Sequence, residues 1–235
     1  MNVLGIDTSN QPMSVAIYQD NQLVSELTVN IKRNHSIQLM PAVQQVMEQA
    51  GLKPKDLNEV VVAEGPGSFT GIRIGMTTAK TLAWTLNIPI KTVSSLKTLA
   101  GQLMYHKGYI CPFFDARRGN VYTGLYFANH GQIKTIEADC NIDMEIWLKQ
   151  LINLEEPILF TSPNGHNFNE LIESILGENA ILVNHSLNLP RAGILVQLGQ
   201  DVSSADIHNV NPNYQRMTQA EANWAKQHEE GNSNE

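Results

Sequence analysis

Glu64-Gly65-Pro66-Gly67-Ser68-Phe69-Thr70-Gly71-Ile72-Arg73-Ile74-Gly75 stands between the apolar run Val60-Val61-Val62-Ala63 and a helical pattern that continues to about Leu86. An apolar strand followed at once by glycines and a helix is how α/β proteins build a site at the carboxyl end of a parallel sheet, because glycine tolerates positive φ and close backbone approach. Gly65, Gly67 and Gly71, with the Ser68 and Thr70 hydroxyls, either line an anion nest at the helix start or make a tight strand-to-helix turn. Spacing alone does not choose between them. The pattern is neither Gly-x4-Gly-Lys-Ser/Thr nor Gly-x-Gly-x2-Gly, so a P-loop and a dinucleotide fingerprint are both unsupported. Within the helix, Gly71, Gly75, Ala79 and Ala83 recur every fourth residue as a stripe of small side chains. Something packs closely there, either the chain's own sheet or another helix.

Upstream, Val3 to Ile6 reads as a buried strand ending in Asp7-Thr8-Ser9, and residues 14–18 and 23–29 read as two more strands joined by an Asp20-Asn21 turn. From about residue 36 to residue 50, Leu39, Met40, Val43, Val46, Met47 and Ala50 recur at helical spacing, and Gly51 stops the pattern. Downstream of the glycine helix come a strand over 90–93 and a helix from 95 to about 104. The order is β-β-β-α-β-α-β-α, and it then recurs. Asp7 is followed ten, eleven and fourteen residues on by Ile17, Tyr18 and Asn21; Asp115 is followed at the same offsets by Leu125, Tyr126 and Asn129. Ile158-Leu159-Phe160 leading to Ser162-Pro163-Asn164-Gly165 echoes the central stretch. Residues 141–152, 168–176, 180–183 and 191–202 match the first helix, second helix, last strand and closing helix. Two such units in tandem are the ribonuclease-H-like duplication of the actin, sugar kinase and Hsp70 group, each a mixed five-stranded sheet flanked by helices. The expected divisions are 1–106, 107–210 and a tail over 211–235, with Asp7 superposing on Asp115 and Ala63 on Thr161. In the tail, Thr218 and Glu221 form a capping box that opens a short helix, and disorder is expected past Glu229.

The net charge of −7 argues against a chain that binds nucleic acid by itself, which would carry a basic face. Any RNA role needs a basic partner. No basic n-region precedes Val3 to Ile6, and that run is too short for a signal core or a membrane span, so a cytoplasmic location is expected. Cys111 and Cys140 form no Cys-x2-Cys pair and read as buried free thiols. Asp7-Thr8-Ser9 at a strand end can hold Mg²⁺ and approach phosphate, or can simply cap its own strand. In the second hairpin, Asp115-Ala116-Arg117-Arg118-Gly119 can clamp a phosphate or a carboxylate, or form a solvated turn or a salt bridge. The seven histidines never fall at i, i+4 on a helix, and no His-Glu-x2-His or Gly-x-Ser-x-Gly occurs, so neither a metal centre nor a serine nucleophile is expected. Candidate acids and bases reduce to Asp7, Glu64 and Asp115.

The chain resembles the TsaB (YeaZ) family of bacterial accessory proteins in transfer-RNA threonylcarbamoyladenosine synthesis. The resemblance rests on Asp7-Thr8-Ser9, on His35-Ser36-x2-Leu39-x-Pro41, and above all on Gly65 through Gly75. Asp115-Ala116-Arg117-Arg118-Gly119-x-Val121-Tyr122 and Pro212-x-Tyr214-x-Arg216 extend it over nearly the whole chain. TsaD-type catalytic relatives hold a metal with two histidines one helical turn apart; here the pair is His35 and Leu39, and leucine ligates nothing. The resemblance therefore implies a non-catalytic subunit. Its cleft at Asp7, Thr8, Ser9, Asp115, Arg117 and Arg118 is vestigial, and it binds no cofactor alone. It implies binding to a TsaD-type subunit through the first two helices, at Leu39, Met40, Val43, Met47, Gly75, Met76 and Ala79. A TsaE-type ATPase completes an ATP-using assembly that modifies adenosine 37, and tRNA is met only through that assembly. Rival readings are a stand-alone ATP-using transferase or glycoprotease-like enzyme of the same fold, and a homodimer through the same helices. The isolated chain is expected to bind neither stoichiometric Zn²⁺ or Fe²⁺ nor ATP at micromolar affinity. Metal analysis and titration calorimetry check this, and one equivalent of metal on His35 would overturn it.

Overall fold

A computed structural model describes residues 1–31 and 34–214. The expected features of the sequence from residue 215 onward (Arg216 of the late motif, the Thr218 capping box and the tail) lie outside the described residues. Strands β1 (Asn2–Asp7), β2 (Met13–Gln19), β3 (Gln22–Val29), β4 (Glu59–Ala63) and β5 (Ile90–Val93) form one sheet in the order β3-β2-β1-β4-β5. Helices α1 (His35–Gln49), α2 (Phe69–Leu86) and α3 (Ser95–Gly101) follow β3, β4 and β5. The second sheet holds β6 (Gly108–Asp115), β7 (Asn120–Asn129), β8 (Gln132–Asp143), β9 (Ile158–Thr161) and β10 (Ala180–Leu182) in the matching order β10-β9-β6-β7-β8. Its helices are α4 (Met144–Leu151), α5 (Asn169–Leu176) and α6 (Ala192–Gly199). In both sheets the first strand pairs antiparallel with the second and parallel with the fourth. The duplicated ribonuclease-H-like α/β architecture is therefore present.

Local chemistry explains the turns. Asp20 and Asn21 both adopt positive φ, 48° and 65°, which is the two-residue hairpin turn whose twist matches the flanking strands. Asn87 ends α2 in the left-handed conformation. Asp143 caps α4 by accepting from the N–H groups of Glu145 and Ile146, so this helix starts at Met144 and residues 141–143 belong to β8.

The repeat is one of topology, with a shifted register. Asp7 lies opposite Ser14 and Asp115 opposite Val121, so the second hairpin is one residue shorter and the equal offsets do not mark equivalent positions. Leu4 pairs with Val60 in the first sheet, whereas Pro112 pairs with Thr161 in the second. Placing Asp7 on Asp115 thus puts Thr161 on Val60, not on Ala63. The carboxyl end of β6 runs three residues past the end of β9, so Asp115 projects beyond its neighbour where Asp7 is enclosed.

The third helix of each unit is exchanged. Leu96, Leu99, Ala100 and Leu103 pack into the second sheet against Ile110, Phe114, Tyr126 and Leu159. Leu195 and Val196 of α6 pack into the first sheet against Val3, Val61, Ala63 and Val93. α3 and α6 also meet each other between the sheets. The approach is close: a Cβ on Gly5 would lie 2.7 Å from Val196 Cγ2 and 2.8 Å from the Ala192 carbonyl oxygen. α1 and α2 cover the outer face of the first sheet and α4 and α5 that of the second. After α6 the chain stays with the first unit. Ala205 bridges to Ile90, Val210 joins the core beneath α2, and the Asn213 N–H donates to the Glu64 carbonyl at 2.8 Å. The expected boundary at residue 210 is corrected accordingly, because the residues from 192 to 214 complete the first core.

α6 has an arginine, Arg191, at its N-cap and takes its capping from the first sheet. The Ala192 N–H donates to Ser14 Oγ and the Gly193 N–H to Glu26 Oε1, both at 2.8 Å, while Arg191 pairs with Glu26 Oε2. The Glu26 side chain is 7% exposed. Glu26→Ala should therefore cost about 2–3 kcal/mol, as expected for bonds to a shielded charge. That corresponds to a melting temperature lower by roughly 5–10 °C. Glu26→Gln, which keeps an acceptor for Gly193, should lose less than half as much; thermal unfolding followed by circular dichroism measures both.

Candidate functional site

The central stretch closes onto the end of β1. Ser68 N–H donates to the Ser9 carbonyl at 2.7 Å and Thr8 Oγ1 donates to the Gly71 carbonyl at 2.7 Å. A Cβ would stand 2.1 Å from the Ser9 carbonyl oxygen at Gly67, 2.2 Å from the Thr8 carbonyl oxygen at Gly71, and 2.4 Å from Thr8 Oγ1 at Gly75. These glycines are required by the approach of their own β1 end. The small stripe of α2 thus meets the chain's own sheet, and the tight-turn reading of the loop accounts for its glycines. Ser68 caps α2 by accepting from the Gly71 N–H at 3.3 Å, and Gly65 exchanges hydrogen bonds with Ser95.

Asp7, Thr8 and Ser9 are consequently sealed, at 0%, 2% and 0% exposure, and do not open to the cleft. Asp7 Oδ1 accepts from the N–H and Oγ of Ser9, while its Oδ2 has no partner among the described residues. Burial raises the Asp7 pKa above the ordinary carboxylate range, against the lowering effect of the Ser9 bonds and of nearby His35. His35 Nε2 lies 2.7 Å from the Asn10 carbonyl oxygen, so that ring nitrogen is committed as a donor, and Nδ1 is buried without a described partner. Leu39, where a second histidine would be needed, sits in the core at 1% exposure. These residues do not fit a metal ion. Among the described residues no group of three or more His, Cys, Asp or Glu side chains is arranged to hold one.

In front of this sealed strand end lies a cleft of about 660 Å³ between the units. Pro66 to Thr70, Asn10 and Gln11 form one wall; Phe114 to Arg118, Tyr122 and Asn164 form the other. Of the residues expected there, the structure places Asp115, Arg117 and Arg118 on the cleft and withholds Asp7, Thr8 and Ser9; of the glycine loop, Gly67, Ser68 and Thr70 line it. Arg117 and Arg118 both hold positive φ, 70° and 57°, in a turn fixed by Arg117 N–H donating to Asp115 Oδ1 at 2.7 Å. Both arginines are exposed, and neither forms an ion pair with a described residue. The wall therefore offers two cations to an anionic group. Sequence reasoning missed the third edge of the cleft: Tyr214 packs on Phe69 with centroids 5.0 Å apart, accepts from Arg73 Nε at 2.7 Å, and Arg73 lies 4.0 Å over the Phe69 ring. The late Pro212-x-Tyr214 motif was its signal.

The helix residues expected at an interface are mostly inside. Leu39, Val43, Met47, Met76 and Ala79 are 0–5% exposed and belong to the core under α1 and α2, and Gly75 faces Thr8; only Met40 is exposed, at 49%. The apolar spacing that marked them is the spacing of the face a helix buries on its own sheet. The outer faces carry Ile37, Met40 and Trp84 instead, with Ile37 and Trp84 more than 70% exposed. Cys111 is buried, with Trp147 Nε1 donating to its sulfur at 3.2 Å and burial pushing its pKa to about 11, while Cys140 is only half-buried.

A carboxyl whose pKa is raised by folding contributes stability below its unfolded value, 3.8, and loses it as pH rises through the folded value. Asp139, half-covered and bonded to Ser94 and Tyr126, is raised for the same first reason and has the same sign. Asp7→Asn keeps an acceptor for Ser9 and removes the buried charge. It should raise the melting temperature at pH 7 and flatten the fall in stability above pH 4, leaving the part due to Asp139. A melting temperature at pH 7 lower than that of the unaltered chain would contradict this account.

Comparison with known proteins agrees with the architecture. The family model described as TsaD, tRNA N6-adenosine threonylcarbamoyltransferase, matches residues 22–223. The tRNA threonylcarbamoyladenosine biosynthesis protein TsaB of Bacillus subtilis is 42% identical over 224 residues, which is 95% of this chain and 98% of that protein. The Escherichia coli TsaB is 34% identical over 128 residues, 54% of this chain and 55% of that protein. Among solved structures, YeaZ from Pseudomonas aeruginosa is 23% identical, covers 91% of this chain and 99% of that one, and has a TM-score of 0.75, a likeness of fold. With its glycine loop, paired sheets and near full-length match, the chain belongs to the TsaB family.

Proposed function

We propose that this chain is a non-catalytic subunit in tRNA threonylcarbamoyladenosine biosynthesis and acts by binding a TsaD-type catalytic subunit. Membership of the TsaB family supports the pathway. The observation that carries the subunit role is the contrast between a sealed strand end and an apolar outer surface. Asp7 and His35 face inward without room for a substrate, while Ile37, Met40 and Trp84 face outward with nothing from the chain's own core upon them. Ile37 and Pro41 also rim a groove of about 560 Å³ floored by Met13, Leu27 and Val29, which extends the apolar surface from α1 to the edge strand β3. Apolar anchors beside a preformed groove are what a stable protein contact uses. In this reading a TsaE-type ATPase completes the assembly, ATP is used by the assembly, and tRNA is met through the partner subunits, in keeping with the net charge of −7. A homodimer would compete for the same outer faces.

Val43 and Met47 lie in the core at 2% and 5% exposure. A charge at either would unfold the core, so loss of binding would say nothing about the interface. Ile37→Glu and Met40→Glu place the charge on the surface and should leave the fold intact. Each should weaken binding to the TsaD-type subunit by at least about 30-fold, the scale of a hot-spot loss of 2 kcal/mol. Light scattering after size-exclusion chromatography and a tRNA modification assay measure the effect. A heterodimer that forms and functions unchanged with both substitutions present would remove α1 from the interface.

A further inference from the structure

We infer that His166 and His185 form a binding site for a square-planar divalent metal ion of the Cu²⁺ type, separate from the cleft. His166 opens the 3-10 turn His166–Phe168 after β9, and His185 opens the turn His185–Leu187 after β10. β9 and β10 are parallel neighbours, so both turns leave the same end of the sheet. The two rings meet with centroids 4.4 Å apart and planes inclined at 63°. The test for i, i+4 pairs on a helix is blind to such a pair, because strand pairing and not helical spacing brings it together. Both histidines are exposed, and neither ring hydrogen-bonds to a described residue. A cavity of about 50 Å³ adjoins them, and Asn169, whose amide bonds no described residue, lines it with them.

The separation lets one ion bridge the two rings. A metal held at about 2.0 Å by an imidazole nitrogen lies about 3.2 Å from that ring's centroid. Two rings at the right angle of a square-planar ion then have centroids about 4.5 Å apart, whereas the tetrahedral angle puts them about 5.2 Å apart. The observed 4.4 Å fits the first, and the order of divalent affinities points the same way, to Cu²⁺ ahead of Zn²⁺. Exposed rings turn about χ2 at little cost, which lets each aim one nitrogen at the ion. Water and the Asn169 amide oxygen supply the remaining positions.

The full chain, titrated with CuCl₂ against glycine as a competing chelator, should take up one equivalent of Cu²⁺ with nitrogen hyperfine structure from two imidazoles in its electron paramagnetic resonance spectrum. Zn²⁺ should bind at least 10-fold more weakly, and Cu²⁺ binding should weaken as pH falls, because each ring must be neutral to coordinate. His166→Gln and His185→Gln, both at exposed positions, should each lower Cu²⁺ affinity by 10-fold or more with unchanged thermal melting. Uptake unaltered in both variants would place the copper on other histidines. Either that result, Zn²⁺ bound as tightly as Cu²⁺, or no uptake beyond the competitor overturns the site.

Discussion

The packing of α6 against the first sheet is the contact on which the rest of the molecule depends. Val3, Val61 and Val93 present their inner face to Leu195 and Val196, which lie between 102 and 193 residues further along the chain. α3 in turn leaves the first unit to cover the second sheet. Neither unit covers the inner face of its own sheet, so the duplication is one of topology. The polar contacts follow the same exchange. Ser14 and Glu26 cap α6, and Asp139 of the second sheet accepts from Ser94, the N-cap of α3. Each inner helix thus has its free N–H groups or its cap tied to the opposite sheet, where an error of register would leave them unpaired.

That exchange fixes the cleft. Its walls belong to different units, and rotating one unit against the other would separate α3 from α6 where Gly101 lies against Ile194 and Leu198. Such close contacts between packed helices tolerate little displacement. The segment after α6 is held to the first unit, since Lys80 Nζ donates to the Val210 carbonyl and Tyr214 lies on Phe69 at the cleft's edge. The cavity is therefore a feature of set shape, lined by the loop on one side and by Arg117 and Arg118 on the other.

Much of the fold was legible because its signals are local. The Asp20-Asn21 turn, the glycine stop after α1 and the strand-loop-helix at residue 64 each name their own geometry, and the order of elements revealed the repeat. The register was not legible. Whether Asp115 projects past Thr161 depends on hairpin length and sheet pairing, which equal offsets in sequence do not report. The exchange of α3 and α6 was also hidden, because an apolar helix declares that it is buried without declaring on which sheet. At the site, the Asp7-Thr8-Ser9 motif was found correctly as a strand end, yet its side chains turned inward because Gly67, Gly71 and Gly75 bring α2 to within contact of it.

The outer helices show why the same sequence signal leads to opposite conclusions about surface and core. In α1 the residues at 39, 42, 43, 46 and 47 repeat with helical spacing because a sheet lies beneath them, and a partner-binding stripe would repeat in the same way. Periodicity finds the buried stripe first, since it is the longer and more apolar of the two. A contact surface on an α/β helix must then be sought among the apolar residues that break the pattern. On α1 Ile37 lies outside it and Met40 shares its spacing yet stays 49% exposed, and on α2 Trp84 lies four residues beyond Lys80 and one beyond the last small residue of the stripe, Ala83. These large apolar side chains stand off the sheet beneath them, Trp84 edge-on to the His208 ring with centroids 6.4 Å apart, and they are the positions on which the proposed contact with a partner subunit rests.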